Sequence, residues 1–135
     1  EYIMADELEG YFEQYEQQVG DNRIASIMDD LKSTSDPEDM MLLIIDVLKD
    51  TEVIPDVGQY YTFIYNAKTP ELTYDQHPLI ACVDVQRWGF RGLNYHWGDF
   101  KNYTWEEIAG VLHVVRPSEI NDLRNISYGY FKTSL

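Results

Sequence analysis

The richest neighbourhood for acid–base or metal chemistry is Tyr74-Asp75-Gln76-His77-Pro78 together with Asn94-Tyr95-His96-Trp97-Gly98-Asp99. Asp75 and His77 stand two residues apart, so on an extended segment they share one side. If the strands carrying the clusters are neighbours, His96 and Asp99 approach them and supply two imidazoles and two carboxylates, a donor set suited to a divalent metal. A simpler role for Asp75 and His96 is hydrogen bonding at turns and strand ends, because neither histidine has helix-spaced or Cys-type ligand partners. On that reading the chain holds no metal and no cofactor. His113, in Leu112-His113-Val114-Val115, reads as a satisfied core histidine. Cys82, in Pro78-Leu79-Ile80-Ala81-Cys82-Val83, reads as a small buried hydrophobe with nothing beside it to lower its pKa. No stretch has the spacing of a phosphate loop, a nucleophile elbow or a zinc ribbon, so an enzyme is not expected.

Two unlike halves must position these residues. The first 56 residues carry 16 Asp and Glu against Arg23, Lys32 and Lys49, whereas the remaining 79 carry 8 acids and 7 bases. The chain is therefore read as an acidic helical leader, 1–56, and a body, 57–135. Its 135 residues, 44% hydrophobic, suffice for one ordinary core. A net charge of −14 repels nucleic-acid phosphates and anionic lipid, which favours a protein surface or a cation as partner. Arg87 and Arg91 beside Trp88 and Phe90 could stack on bases, but two arginines make a thin footprint on so acidic a chain, and an exposed hairpin or a protein contact is preferred. With one cysteine there is no internal disulfide, and no apolar stretch approaches the length of a membrane span or looks like a signal peptide.

In the leader, Met4, Leu8, Phe12, Tyr15 and Val19 place an apolar stripe on a helix over about residues 2 to 18. Ile24, Ile27, Met28 and Leu31 predict a second, ending near Lys32. Ser33-Thr34-Ser35-Asp36-Pro37-Glu38-Asp39 starts a third with a Ser or Asp cap, a proline at the first helical position and acids at the positive end of the dipole. Its body, Met40 to Leu48, is apolar on nearly every side, which requires burial on more than one face. Met41, Leu43, Ile44 and Ile45 are therefore candidate partner-binding residues.

From Thr51 the period becomes alternating. Tyr60 to Tyr65, Pro78 to Val85 and Phe90 to Tyr95 read as strands, with a turn at Arg87-Trp88-Gly89. Thr104-Trp105-Glu106-Glu107 is a capping box and predicts a short helix, followed by a last strand over Leu112 to Val115 and a helix capped by Ser118. The tail from Asn125 is too short for its own core. Its aromatics Tyr128, Tyr130 and Phe131 join the candidate partner-binding set.

The stretch from Tyr60 to Trp97 resembles small proteins of T4-like tailed phages. The likeness lies in Tyr61-Thr62-Phe63-Ile64-Tyr65, the turn Lys68-Thr69-Pro70, Leu72-Thr73-Tyr74-Asp75-Gln76-His77-Pro78-Leu79, and Gly89-Phe90-Arg91-Gly92-Leu93-Asn94-Tyr95-His96-Trp97. Such proteins are virion components, among them protectors of packaged genome ends that act at the head or tail. The resemblance implies an α+β chain whose body is a small, strongly bent antiparallel β-barrel of the SH3-like kind. Tyr74, Asp75, Pro78, Gly89, Gly92, Asn94 and His96 would then define the fold. It implies a structural part of a tailed-phage particle, in tail, neck or baseplate, made in the host cytoplasm and built into an oligomeric assembly with other protein subunits. The alternative is an acidic inhibitor that mimics DNA, with carboxylates spaced like phosphates.

Overall fold

A computed structural model describes residues 22–67, 74–129 and 131–132. The helix expected over about residues 2 to 18 lies outside them. A 3-10 turn at Ala25–Ile27 leads into helix α1 (Met28–Lys32), and α2 spans Pro37–Val47. The start of α2 follows from local chemistry. The Asp36 carboxylate accepts the Glu38 N–H at 3.1 Å, Pro37 sits where no intrahelical N–H is needed, and Glu38 and Asp39 lie at the positive end of the dipole.

The strands are β1 (Thr51–Glu52), β2 (Tyr60–Tyr65), β3 (Tyr74–Asp75), β4 (Leu79–Val85), β5 (Gly89–Asn94), β6 (Asp99–Thr104), β7 (Ile108–Val115) and β8 (Phe131–Lys132). A 3-10 turn at Pro117–Glu119 precedes helix α3 (Ile120–Arg124). Six strands form an antiparallel sheet in the order β1-β7-β2-β4-β5-β6, and β3 pairs with β8. The class is α+β, but the sheet is open, with β1 and β6 at opposite edges, where a closed barrel was expected. It is nonetheless strongly curled. Register shifts between Thr62 and Ile64 and between Cys82 and Asp84 let the strands bend. Lys101 of β6 consequently stands 4.5 Å from the Tyr65 ring centre on β2, although β4 and β5 separate the two strands.

The helix expected after Thr104 is one 3-10 turn, Trp105–Glu107. Glu107 does reach back, accepting the Thr104 N–H at 3.1 Å and its hydroxyl at 2.7 Å. The chain then enters β7 at once, because Gly110 takes φ 94°, incompatible with a helix, and Ile108, Val111, Val114 and Val115 favour a strand.

Alternation along β2 sends Tyr61, Phe63 and Tyr65 into the curl, where they meet Ile80, Cys82, Phe90, Tyr103 and Leu112. Cys82 is thus a core residue, and burial pushes its thiol pKa up. On the outer face Leu79 and Val115 pack in one cluster with Leu31 of α1, Ile44 of α2, Leu48 just after it and Leu123 of α3. Residues on both sides of position 56 share this second cluster. Around α2, Met40, Met41, Ile44 and Leu48 are buried, and Leu43, Ile45 and Val47 are packed against the same cluster, while Leu42 remains 62% exposed.

Candidate functional site

One end of the curl gathers the two clusters that the sequence singled out. Asp75 is buried at the end of β3. Its Oδ2 accepts the Asn94 Nδ2–H at 2.8 Å and lies 3.2 Å from His96 Nδ1, and its Oδ1 accepts the Trp97 indole N–H. Asn94 closes the β5–β6 hairpin: its Oδ1 accepts the backbone N–H groups of His96 and Trp97 at 2.8 and 3.0 Å. Its Nδ2 also donates to the Tyr103 hydroxyl at 3.0 Å. Asp75 and His96 are therefore brought together, and His77 is buried nearby in sequence. Asp99 instead turns to solvent and accepts the Phe100 N–H at 3.1 Å. Among the described residues no group of three or more His, Cys, Asp or Glu side chains could hold a metal ion.

The C-terminal segment closes over this pair. The Tyr128 hydroxyl lies 3.0 Å from Thr62 Oγ1, and its buried ring meets the His96 ring edge-on at 5.2 Å. A Cβ at position 129 would collide with the His96 ring, so any other residue there would have to displace the imidazole that the chain crosses. Phe131 then pairs with Asp75 in the β3–β8 ladder. Burial raises the hydroxyl pKa values of Tyr103 and Tyr128 well above the tyrosine range, and the Asp75 charge adds to both shifts. Chemically this is a brace: both Asp75 oxygens are engaged by donors from a hairpin and an indole of the same chain.

Beside the brace an open pocket of about 240 Å³ is lined by Asn94, Trp97, Asp99, Phe100 and Lys101. Burial lowers the Lys101 pKa against the pull of the Asp75 and Glu107 carboxylates. Its ammonium lies over the rings of Tyr65 and Tyr103, 4.5 and 5.6 Å from their centres. An inward-pointing charge on an edge strand also discourages pairing with another chain.

Of the expected partner-binding residues, Met41, Ile44 and Tyr128 are buried in the chain's own core, and Leu43 and Ile45 are half-buried against it. Tyr130 lies outside the described residues, and Phe131 is placed by its backbone in β8. The supposed base-stacking group is divided, with Phe90 in the core and the Arg91 guanidinium over the exposed Phe100 ring at 4.8 Å.

Sequence reasoning missed a different surface. In the loop between β1 and β2, Val53, Ile54 and Val57 are 75, 64 and 63% exposed. The loop is held firmly. Pro55 is buried, the Tyr61 hydroxyl accepts the Asp56 N–H at 2.8 Å and donates to Glu52 Oε2 at 2.5 Å, and burial keeps that phenol protonated by raising its pKa. Gly58, at φ 90°, donates its N–H to the Cys82 carbonyl at 2.8 Å, and the Cys82 N–H returns to the Gln59 carbonyl at 2.9 Å. The available signal was the run Val53-Ile54-Pro55-Asp56-Val57, apolar yet neither alternating nor helical in period.

No family model matches the chain, and neither a curated protein nor a solved structure matches it.

Proposed function

We propose that this chain is a structural component of a tailed-phage particle, in the tail, neck or baseplate, that assembles through protein–protein contacts and catalyses no reaction. The observation that carries the reading is the β1–β2 loop, which holds three large aliphatic side chains in solvent on a backbone fixed by its own hydrogen bonds. The resemblance over residues 60–97 supplies the phage context, and the strong curl of the sheet supports kinship with bent SH3-like barrels despite the open edge. The engagement of both Asp75 oxygens by the chain's own donors supports a scaffold role for that cluster. The competing reading, an acidic mimic of DNA, draws on Asp29, Asp30, Asp36, Glu38 and Asp39, all exposed around α1 and α2. Sedimentation of assembled particles away from the soluble lysate decides between them. The chain should travel with the particles; recovery only in the soluble fraction overturns the structural reading and promotes the mimic.

A further inference from the structure

The exposed loop has a charge as well as a shape. Glu52 lies at its start and Asp56, exposed, within it. Asp50 at its foot is next to Lys49 in sequence and stands 3.5 Å from the Arg23 guanidinium, so that Glu52 and Asp56 carry the charge of the loop itself. The Gly58–Cys82 and Cys82–Gln59 bonds hold β4 alongside, and that strand next presents Val83, 39% exposed, and the exposed Asp84. The surface is thus an aliphatic knob with an acidic rim. Like charge argues against occupants from this chain: residues 1–21 contain seven acids and no base, and a second copy carries the same net charge of −14. Phosphate-bearing surfaces are repelled for the same reason.

Resting on the assembly reading above, we infer that the Val53-Ile54-Val57 knob inserts into an apolar pocket on a partner protein whose rim is lined by lysine and arginine. The apolar centre supplies the binding free energy, and the carboxylates orient the encounter and reject acidic surfaces. The bonds from Tyr61, Gly58 and Gln59 fix the loop before binding, so little conformational entropy is lost on docking.

The test is an NMR titration of the isotope-labelled full chain with three probes: an amphipathic leucine–lysine peptide, its leucine–glutamate counterpart, and oligolysine. The leucine–lysine peptide should move the signals of residues 53–58 and of Val83. The other two should bind at least about tenfold more weakly, a difference of about 1.4 kcal/mol. The combined Val53→Ser, Ile54→Ser, Val57→Ser variant should keep the wild-type melting temperature and lose the leucine–lysine peptide by at least a similar factor. Oligolysine or the leucine–glutamate peptide binding equally well overturns the inference, as does no response to the leucine–lysine peptide or a response confined to α1 and α2. Nuclear Overhauser contacts from residues 1–21 to Ile54, or a dimer that the serine variant abolishes, also overturn it by naming a different occupant. Particle incorporation is read separately. A serine variant that enters particles like wild type sinks the knob and leaves the assembly reading standing, whereas a wild-type chain absent from particles sinks the assembly reading whatever the peptides do.

Discussion

Inside the curl the sheet is packed by rings. Tyr103 meets Phe63 and Tyr65 edge-on at 5.3 and 5.4 Å and stacks on Phe90 at 5.4 Å, while the hydroxyls of Tyr61, Tyr65 and Tyr103 reach Glu52, Glu107 and Asn94. On the outer face the fillers are mainly aliphatic, with Met40 and Met41 among them and Tyr128 as the main aromatic. Charge enters there at one margin, where Arg23 grips the fully buried Glu119 with two guanidinium bonds of 3.0 and 2.9 Å. The inner face is therefore specified by direction, since rings and hydroxyls work in few arrangements. The outer face is specified by volume and by one charge pair, and it tolerates reshaping more readily. Substitutions should fail differently on the two sides.

The sharpest contrast lies on one helix. Ile44→Asp places an unpaired carboxylate in the outer cluster and should cost at least about 3 kcal/mol, enough to unfold much of the protein. Leu42→Asp, on the exposed side, should change stability by no more than about 0.5 kcal/mol. Urea denaturation of both variants measures the difference, and equal losses would mean that α2 is covered on its far side as well. Arg23→Ala comes next, at about 3 kcal/mol, because Glu119 keeps its burial and loses its cation. Adding Glu119→Leu should recover only part of this: the Glu119 carboxylate also accepts the backbone N–H groups of Arg23 and Arg116 at 2.7 and 2.8 Å, which a leucine strands. Full recovery would show that the pair acts through charge alone.

What the sequence made legible was local. The cap of α2 needs only Asp36 to Asp39, and β2 shows its alternation within six residues. β6 escaped notice because Asp99-Phe100-Lys101-Asn102-Tyr103-Thr104 contains one β-branched residue and sends a lysine inward. Its strand character comes from pairing with β5 across the turn that Asn94 ties. The meeting of Asp75 with His96 was legible as a possibility, since it needs only neighbouring strands. The closure by Tyr128 and Gly129 was not, because Thr62 and Tyr128 meet across 66 residues of chain. The β1–β2 loop went unremarked for a related reason: the exposure of Val53, Ile54 and Val57 depends on bonds that Asp56, Gly58 and Gln59 make to Tyr61 and Cys82, outside the loop.

A smaller effect, shared by both faces, depends on pH. Tyr61, Tyr103 and Tyr128 have folded pKa values raised above the ordinary tyrosine value of about 10, chiefly by burial. Between about pH 10, where the unfolded phenols ionise, and the higher folded values, the native state binds more protons. Stability is thus fully present below about pH 10 and falls as pH rises through that window. Lys101, with its lowered folded pKa, has the opposite sign, and its stability gain with rising pH falls between that lowered value and about 10.5, mostly below the tyrosine window. Tyr103→Phe should cost about 1 kcal/mol at neutral pH through the lost Asn94 bond and should flatten the alkaline limb. If the limb keeps its slope, Tyr103 is not among the groups that set it.

The smallest expected effect belongs to His113, which sits on β7 and titrates in the acid range. Burial lowers its folded pKa, opposed in part by a hydrogen bond with the Leu48 backbone at the end of α2. Between that lowered value and the unfolded value near 6.5, the unfolded state binds more protons, so stability is fully present above about pH 6.5 and falls as pH drops through it. Because the ring is only half-buried, solvent screens the effect, and the slope should be shallow beside the alkaline one. His113→Gln keeps a polar side chain that can still bond the Leu48 backbone, and it removes the titration. Melting temperatures of wild type and variant should coincide at pH 8 and diverge at pH 5, with wild type lower. Convergence at both pH values would remove His113 from the groups that set the acid response, and the two faces would then differ in packing alone.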